Sequence, residues 1–281
     1  MKVSVLILTY NEEVNLPRCL GSLAWCDDIV VVDSGSTDHT LAMAEQAGVR
    51  ILTRKFDNFA GQRNFGLEHG MFKHEWVLHL DADEVVTREF QAALERLIAL
   101  DGVDAYFVPS KTMLFDTWLK HAGMWPTYQV RLGHRDRLRF IQVGHGQRED
   151  LPLDKTAKFD VPYLHYSFSH GLTAWLQKHV RYAHDEAIEL VKARNGLDRT
   201  LIEQDGKATD QSVNSRRRMK MAANRIPLFL RPFARFFYVY VLKRGFLDGH
   251  RGLLYAFMLA VYEGMIAILA YEKLNKVEAG S

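Results

Sequence analysis

The chain has 281 residues, 48% hydrophobic and 25% charged, a composition typical of folded proteins that excludes disordered, collagen-like and disulfide-scaffold classes. Its 36 lysines and arginines nearly balance 34 aspartates and glutamates, which argues against a nucleic-acid partner, because such binders usually carry a marked basic excess. The charge is unevenly distributed. Residues 211–247 hold nine basic and no acidic side chains, whereas the chain before them is net acidic.

Short apolar runs rich in β-branched residues alternate with helical patterns over residues 1–110. Each run ends in polar residues, as buried parallel strands do, and Thr87 is a typical helix N-cap. This alternation predicts a doubly wound α/β sheet. The predicted strands cover residues 3–8, 29–32, 49–52, 76–80 and 106–108, and the predicted helices cover 13–23, 38–47, 60–69 and 88–100.

The pattern changes after the predicted sheet. Residues 111–168 are irregular in pattern, and a long helix is predicted from the cap at Ser169 to about Arg194. A polar, weakly patterned segment follows this helix and is typical of a linker or mobile loop.

The two cysteines, Cys19 and Cys26, form neither a disulfide framework nor the repeated spacing of a structural zinc site. The apolar run at residues 3–8 is too short for the core of a signal peptide. We therefore expect reduced cysteines and an active part that stays in the cytoplasm.

Three polar segments directly follow predicted strands, at residues 9–12, 33–38 and 81–84. Ligands of α/β sheets bind where the carboxyl ends of the strands converge, so we expect the three loops to face one crevice. In the second loop, Asp33, a glycine and several hydroxyls could hold a ribose, a base edge or a phosphate. A helix cap with a tight turn also explains the hydroxyls, but it does not need Asp33.

Carboxylates crowd the third loop, Asp81-Ala82-Asp83-Glu84. They repel one another unless a cation lies between them, and Mg²⁺ typically takes one or two protein carboxylates together with substrate phosphates. A solvated acidic turn would explain the loop in isolation. Its predicted place beside the two other loops favours a site for a metal and a diphosphate.

Four motifs in this order resemble those of family 2 glycosyltransferases of the GT-A fold, and they lie at residues 9–13, 33–38, 60–66 and 81–84. Two later segments, 128–132 and 164–168, are similar to the branch acting in bacterial lipopolysaccharide-core and exopolysaccharide assembly. The resemblance implies a Rossmann-like, nucleotide-binding mixed sheet flanked by helices. It also implies transfer of a sugar from a nucleotide-diphosphate donor with inversion at the anomeric carbon.

The resemblance assigns a set of residues to the nucleotide-sugar: Thr9, Tyr10, Asn11, Glu12, Asp33, Ser34, Arg63, Asp81, Ala82 and Asp83. Within this set, Asp33 would meet the base or ribose and Arg63 would lie near the diphosphate. Asp81 and especially Asp83 would hold the donor and Mg²⁺ or Mn²⁺. Many relatives have a second acid where this chain has Ser34. A UDP-sugar is nevertheless the favoured donor.

Inverting transfer also needs a carboxylate that removes the proton from the attacking hydroxyl. The resemblance places this base in the region of Glu149. Many members carry His-Glu where this chain reads His145-Gly146, so Asp150 is an alternative. An acidic pair in a surface turn is the remaining interpretation.

On the acceptor side, the resemblance suggests that Arg131, Gln129 and Trp125 contact the diphosphate or the acceptor. The alternatives are a surface strand with an exposed arginine and a tryptophan that packs in a core or against a membrane. The histidines of the later segments have no clear metal-site spacing, and we expect them to be structural. They are His165, His170, His179 and His184.

The basic tail interleaves aromatic residues with arginines at residues 226–242, which is typical of a helix at an anionic membrane surface. A packing helix with solvent-facing arginines is the alternative. Residues 253–271 are apolar apart from Glu263 and barely long enough to span a bilayer. A central carboxylate is costly in lipid, so a monotopic or interfacial helix is favoured over a span.

These observations predict a GT-A catalytic domain at residues 1–195, followed by a linker or mobile loop at 196–215 and membrane-associating helices at 216–281. The catalytic domain would comprise a nucleotide-sugar half at 1–110, an acceptor half at 111–168 and a helix at 169–195.

The predicted function is metal-dependent glycosyl transfer to a lipid-linked glycan of bacterial lipopolysaccharide or exopolysaccharide, at the cytoplasmic face of the inner membrane. The enzyme would be peripheral or monotopic. A polyprenyl-phosphate glycosyl synthase of the same fold and a non-catalytic, membrane-peripheral nucleotide-sugar-binding protein are the alternatives. The acids Asp81, Asp83 and Glu149 argue against the non-catalytic one, and the sequence leaves the oligomeric state open.

Overall fold

The computed structural model describes residues 2–97, 101–143, 146–194 and 226–278. The chain forms two compact units. The first, here the catalytic unit, comprises Met1–Trp118 and Trp125–His170. The second, the C-terminal unit, comprises Leu119–Met124 and Gly171–Ser281.

The strands in chain order are β1 (Val3–Thr9), β2 (Ile29–Asp33), β3 (Arg50–Thr53), β4 (Trp76–Asp81), β5 (Glu84–Val85), β6 (Ala105–Leu114), β7 (Thr117–Trp118), β8 (Thr127–His134), β9 (Phe140–Val143), β10 (Gly146–Glu149), β11 (Thr156–Lys158) and β12 (Tyr163–His165). The α-helices are α1 (Leu16–Gly21), α2 (Thr40–Gln46), α3 (Phe59–His69), α4 (Arg88–Arg96), α5 (Gly171–Arg194), α6 (Arg231–Phe237) and α7 (Gly249–Glu278).

The main sheet has the order β3-β2-β1-β4-β8-β6-β12-β5, with β7 and β11 also paired to β6. Strands β3, β2, β1 and β4 run parallel, and β8 enters antiparallel to both β4 and β6. Strands β9 and β10 form a separate antiparallel ribbon. The predicted mixed sheet flanked by helices, with a helical C-terminal extension, is confirmed.

The sequence located the parallel half of this sheet well, because β1 is buried on both faces. Val5 and Ile7 pack into one core cluster, and Leu6 and Leu8 pack into the other. Thr87 caps α4 as predicted, and its Oγ1 accepts a hydrogen bond from the amide of Phe90 at 3.1 Å. The helix ends at Arg96 rather than near Leu100, and residues 98–100 lie outside the described part of the chain.

The interpretation of residues 111–168 as irregular was wrong, because this stretch contains strands β7 to β12. Strand β8 escaped detection because a buried charge, Arg131, interrupts its apolar pattern. Pairing with β4 and β6 on either side, rather than local pattern, makes it a strand.

The C-terminal unit is built around α7. Small side chains of α5, among them Ala183 and Ala187, pack with Ile266, Ala267 and Ala270 of α7. The structure thus groups α5 with the C-terminal helices, whereas the sequence-based division placed residues 169–195 in the catalytic domain. The predicted linker at 196–215 and the basic residues at 216–225 lie outside the described residues.

One helical stretch of the described residues, Gly245–Asn275, is long and apolar enough to cross a membrane by length and composition. About a third of its most apolar window, 33%, is buried within the structure.

Gly66 marks the closest approach of α3 to the sheet. A Cβ at this position would lie 2.7 Å from the side-chain methyls of Leu6 and 3.1 Å from Val32 Cγ2. We expect Gly66→Ala to destabilise the protein by about 1–3 kcal/mol, because the core must shift to admit the methyl group. Urea unfolding measures this change.

Gly61 on the same helix is the matched control. Its added Cβ would meet only the far ends of the Asp57 and Arg54 side chains within 3.0 Å, and both can move. Gly61→Ala should change the free energy of unfolding by less than about 1 kcal/mol. Equal effects of the two substitutions would contradict the close packing of α3 at Gly66.

Candidate active site

The three predicted loops do meet at one edge of the sheet. Thr9 at the end of β1 is in register with Asp33 at the end of β2, and Leu8 is in register with Asp81 of β4. The segments that follow these strands therefore start side by side, as expected of a parallel sheet.

Asp33 is fully buried and shapes its own loop. Its Oδ1 accepts hydrogen bonds from the amides of Gly35 and Ser36 at 2.8 Å, and its Oδ2 accepts from the hydroxyls of Thr9 and Ser36. The carboxylate that the resemblance assigns to a base or ribose is thus occupied within the protein. The side chain of Ser34, the next residue, is partly exposed at this edge.

Asn11 joins the first two loops. Its backbone amide donates to Ser36 Oγ at 2.8 Å, and its side-chain Oδ1 accepts from the backbone amide of Thr37 at 2.8 Å. Asn11 has a φ of 54°, a left-handed conformation that asparagine tolerates better than most residues. The neighbouring Tyr10 is exposed. The first loop therefore has a fixed backbone and presents an aromatic ring outward.

Glu12 contacts His170, the last residue of the catalytic unit. Its Oε2 accepts a hydrogen bond from Asn15 Nδ2 at 2.7 Å and lies 3.1 Å from His170 Nε2. Burial is the main reason why the pKa of Glu12 lies above its ordinary value, and the charge of Asp83 raises it further.

Two buried arginines hold the acidic turn after β4. Arg63 Nη2 of α3 lies 2.7 Å from Asp81 Oδ1, and Arg131 Nη2 of β8 lies 2.9 Å from Asp81 Oδ2. Arg131 also pairs with the fully buried Glu84 and donates from Nε to the hydroxyl of Tyr163 at 3.2 Å. Burial would raise the pKa of Asp81, but Arg131 and Arg63 outweigh it and hold that pKa below its ordinary value. Burial raises the pKa of Glu84.

A β-bulge delivers Arg131 to this network. Tyr106 of β6 pairs with Leu132 and the next residue, Phe107, pairs with Val130, so Arg131 has no opposite residue. Bulges re-aim a side chain and are frequent beside active sites. Arg131 is buried, which excludes the alternative of an exposed arginine on a surface strand.

Asp83, two residues after Asp81, faces His165 of β12. Its Oδ2 is 3.3 Å from His165 Nε2, and the two side chains are 22% and 30% exposed. Burial lowers the pKa of His165, but the charge of Asp83 and its hydrogen bond outweigh this and raise the pKa to about 9. The backbone fixes the turn as well, since the amide of Ala82 donates to the Leu8 carbonyl and that of Tyr166 donates to the Asp83 carbonyl.

The expectation that His165 is a purely structural histidine missed this contact. The signal in the sequence was the segment 164–168, which resembles the family, but it did not indicate a partner for the histidine. In the described ranges no three His, Cys, Asp or Glu side chains form a group that could hold a metal.

Glu149 lies on the separate β9–β10 ribbon, directly opposite Phe140. Opposed residues of an antiparallel pair share a face, so Glu149 is on the side of Phe140. The Phe140 ring is 5.2 Å from that of His79, and Arg63 Cζ is 5.8 Å from the Phe140 ring centre. Phe140, the residue opposite Glu149, thus lies beside His79 and Arg63. Asp150 follows at the exposed end of the ribbon.

The proposed acceptor-side residues are dispersed. Gln129 is exposed on β8, two residues before the bulge. Trp125 packs edge-on against Trp118, with ring centres 5.3 Å apart, and Lys111 Nζ lies 4.6 Å from the Trp118 ring centre. The two tryptophans flank residues 119–124, where the chain leaves the catalytic unit and returns to it.

A half-sheet of order β3-β2-β1-β4, an antiparallel strand between β4 and β6 and an acidic turn directly after β4 define the GT-A class of glycosyltransferases. Residues 4–147 match the family model described as glycosyl transferase family 2. The chain belongs to this family.

Curated relatives agree with this assignment. An uncharacterized glycosyltransferase of Rickettsia felis is 35% identical over 106 residues, which cover 37% of each chain. The lipopolysaccharide core biosynthesis glycosyltransferase LpsC of Rhizobium meliloti is 36% identical over 157 residues, or 54% of each chain. The chain thus matches only about a third to a half of the length of these relatives.

Among solved structures, glucosyl-3-phosphoglycerate synthase of Mycobacterium tuberculosis has a TM-score of 0.43 and 17% identity, over 59% of this chain and 72% of that chain. This likeness is too distant to inform the site.

Replacing Arg131 with Met should leave the buried Glu84 without its cation and Asp81 with only one arginine. We expect a loss of about 3–5 kcal/mol of unfolding free energy, the usual effect of breaking a buried ion pair from one side. Urea unfolding followed by tryptophan fluorescence provides the measurement.

Arg137→Met removes an arginine that is 51% exposed and pairs with Asp104, and it should cost less than about 1 kcal/mol. An Arg131→Met protein as stable as this control would show that the buried network contributes little.

Proposed function

We propose that the protein is an inverting, metal-dependent glycosyltransferase that moves a sugar from a nucleotide diphosphate, with UDP favoured, to a lipid-linked glycan of bacterial lipopolysaccharide or exopolysaccharide. The observation that carries this proposal is the division of the acidic turn. Asp81 and Glu84 are paired with buried arginines, whereas Asp83, at the same carboxyl edge of the sheet, is paired with the imidazole of His165.

The donor would lie along the edge formed by the first three loops. Thr9, Tyr10, Asn11 and Glu12 would line the nucleotide pocket with Asp33 and Ser34. Because the Asp33 carboxylate is used within its loop, we assign it the role of shaping the pocket, and we assign direct contact to Ser34. Arg63 is buried and pairs with Asp81, so it would fix the position of that carboxylate near the diphosphate.

The side chains around Asp83 offer metal-binding atoms suited to Mg²⁺ or Mn²⁺. Mg²⁺ is commonly bound by one or two carboxylates together with substrate phosphates, and a partly exposed carboxylate beside an imidazole nitrogen offers such a partial shell. Asp83 would hold the ion, His165 would join it only after losing the proton that Asp83 stabilises, and Asp81 would orient the turn. Neutralising charge on the departing diphosphate is the chemistry that such an ion supplies.

Glu149 is our proposed base, which would accept the proton of the acceptor hydroxyl as its oxygen attacks the anomeric carbon. Its place on the face of the ribbon that carries Phe140 supports this role. Gln129, Arg131 and Trp125 were the expected acceptor-side residues. Of these, exposed Gln129 and partly exposed Trp125 remain candidates for direct contact, and Arg131 would act by positioning Asp81.

Two observations support the proposed acceptor and location: the composition of the C-terminal unit and the name of the Rhizobium relative. That relative is described as a lipopolysaccharide core enzyme, whose acceptor would be carried by a lipid. An apolar helix and a basic, aromatic segment precede the end of the described chain. We therefore place the enzyme at an anionic membrane surface, on the cytoplasmic face of the inner membrane, as a peripheral or monotopic protein.

Titration with UDP-, GDP-, ADP- and dTDP-sugars, with and without Mn²⁺, tests the donor proposal. We expect one class of donor to raise the melting temperature in a Mn²⁺-dependent way. Asp83→Asn should abolish the Mn²⁺-dependent part and slow hydrolysis of the sugar nucleotide by about a hundred- to a thousandfold, a range typical of lost charge stabilisation.

Asp136→Asn changes an exposed acid of the same unit and should behave like the parent. Failure of every donor to bind with metal would refute the proposed activity, and donor binding without any turnover would favour a nucleotide-sugar-binding protein.

Glu149→Gln separates catalysis from binding. The substitution keeps the shape of the side chain but removes its basicity, so turnover should fall by about a hundredfold or more while the melting shift with donor and Mn²⁺ is retained. Asp150→Asn should leave turnover within about twofold of the parent. The reverse result would transfer the role of base to Asp150.

A further inference from the structure

The C-terminal unit leaves one face of α7 both apolar and exposed. Five large side chains on this face are 37–63% exposed, namely Leu253, Phe257, Val261, Ile268 and Tyr271. At 100° per residue they fall within an arc of about 80°. The exposure is therefore a continuous stripe along the helix rather than a set of scattered residues.

The opposite face of α7 is already covered by protein. Ala256 and Leu259 pack with Val239, and Ile266, Ala267 and Ala270 pack with α5. Helix α7 is thus apolar on both sides, and its own unit buries only one of them.

The segment before α7 extends the stripe. Phe229, Leu230, Phe233 and Phe237 are exposed around α6, and the rings of Phe229 and Tyr271 lie 5.5 Å apart. Leu242, Phe246 and Leu247 are exposed where the chain turns into α7. We call these side chains, with the stripe on α7, the outer apolar surface.

Charge on this segment distinguishes between possible occupants. Residues 226–247 contain four basic and no acidic side chains, and exposed Lys243 and Arg244 lie directly between Leu242 and Phe246. Two copies of such a surface would bring like charges together. An anionic lipid surface complements both the apolar rings and the cations.

The unit also fixes how α7 can meet lipid. Glu263, near the middle of the apolar stretch, pairs with Arg231 of α6 through Nη2 at 2.9 Å and Nε at 3.1 Å. Arg231 is buried and Glu263 is mostly buried, on the inner side of α7. If α7 crossed a bilayer without its partners, this carboxylate would be stranded in hydrocarbon, where charged side chains are rare and costly.

We propose that the outer apolar surface enters one leaflet of an anionic membrane, with α7 lying along the bilayer plane rather than across it. This inference rests on the proposed function for its purpose, since a lipid-linked acceptor would be reached at that surface. Its physical basis is independent and lies wholly within the C-terminal unit.

Flotation with vesicles of phosphatidylglycerol and phosphatidylcholine tests the surface. Phe233→Glu combined with Phe257→Glu should weaken vesicle binding more than tenfold, because two exposed rings are replaced by charges that anionic lipid repels. Met71→Glu is the matched control, since Met71 is 82% exposed but lies in the catalytic unit. Equal flotation of the double variant and the control would overturn the proposal.

Measurements of probe depth distinguish an α7 that lies along the bilayer plane from one that crosses the bilayer. Single cysteines at positions 253, 257, 261 and 268, in a Cys26→Ser background, would carry an environment-sensitive fluorophore, while Cys19 is buried and unreactive. Nitroxides near the lipid headgroup should quench all four probes more strongly than nitroxides deep in the acyl chain. Deep quenching at 261 with shallow quenching at 253 would indicate a span and refute the proposal.

Two controls distinguish membrane binding by this surface from the proposed donor binding and from dimerisation. The Phe233→Glu, Phe257→Glu protein should keep its Mn²⁺-dependent melting shift with donor in the absence of vesicles, so a failed donor assay and a failed flotation assay are distinguishable. Sedimentation without lipid should show no dimer that this variant disrupts. Such a dimer, together with no vesicle binding by the parent, would assign the surface to a second copy instead.

Discussion

The carboxyl edge of the sheet depends on one network of charges centred on two buried arginines. Arg63 comes from a helix packed on the sheet and Arg131 from an inserted antiparallel strand, and between them they hold Asp81 and Glu84. Two buried cations match two anions, of which Glu84 is fully buried and Asp81 partly exposed. Loss of Arg131 leaves the buried Glu84 without its cation, which is far costlier than losing an exposed pair. The position of Asp83 follows from this arrangement.

The loop after β2 is likewise organised by a buried carboxylate. Asp33 accepts four hydrogen bonds from its own loop and from Thr9 and is fully buried. The acids that make the motifs recognisable are therefore mainly scaffold. Their neighbours Ser34 and Asp83 are partly exposed, and each is held in turn: Ser34 Oγ accepts a hydrogen bond from Gln62 Nε2, and Asp83 pairs with His165.

The sequence of helix α7 does not by itself determine the environment of the helix. Residues 253–271 of this helix are apolar on every side apart from Glu263, and an apolar helix can be a core helix, a span or an interfacial helix. Packing against α5 and pairing with Arg231 fix the inner face. The remaining face is what the protein offers to its surroundings.

The sequence by itself determined the parallel strands, the polar loops after them and the crowded acids, because strand patterns and loop residues are local signals. It also carried the family resemblance in four ordered motifs. Only the tertiary structure decided that a bulge turns Arg131 inward, that His165 faces Asp83 and that α5 belongs with the C-terminal helices. Arg131 lies 50 residues from Asp81, and His165 lies 82 from Asp83. Such pairings arise when distant strands and helices pack together, and no local pattern encodes them.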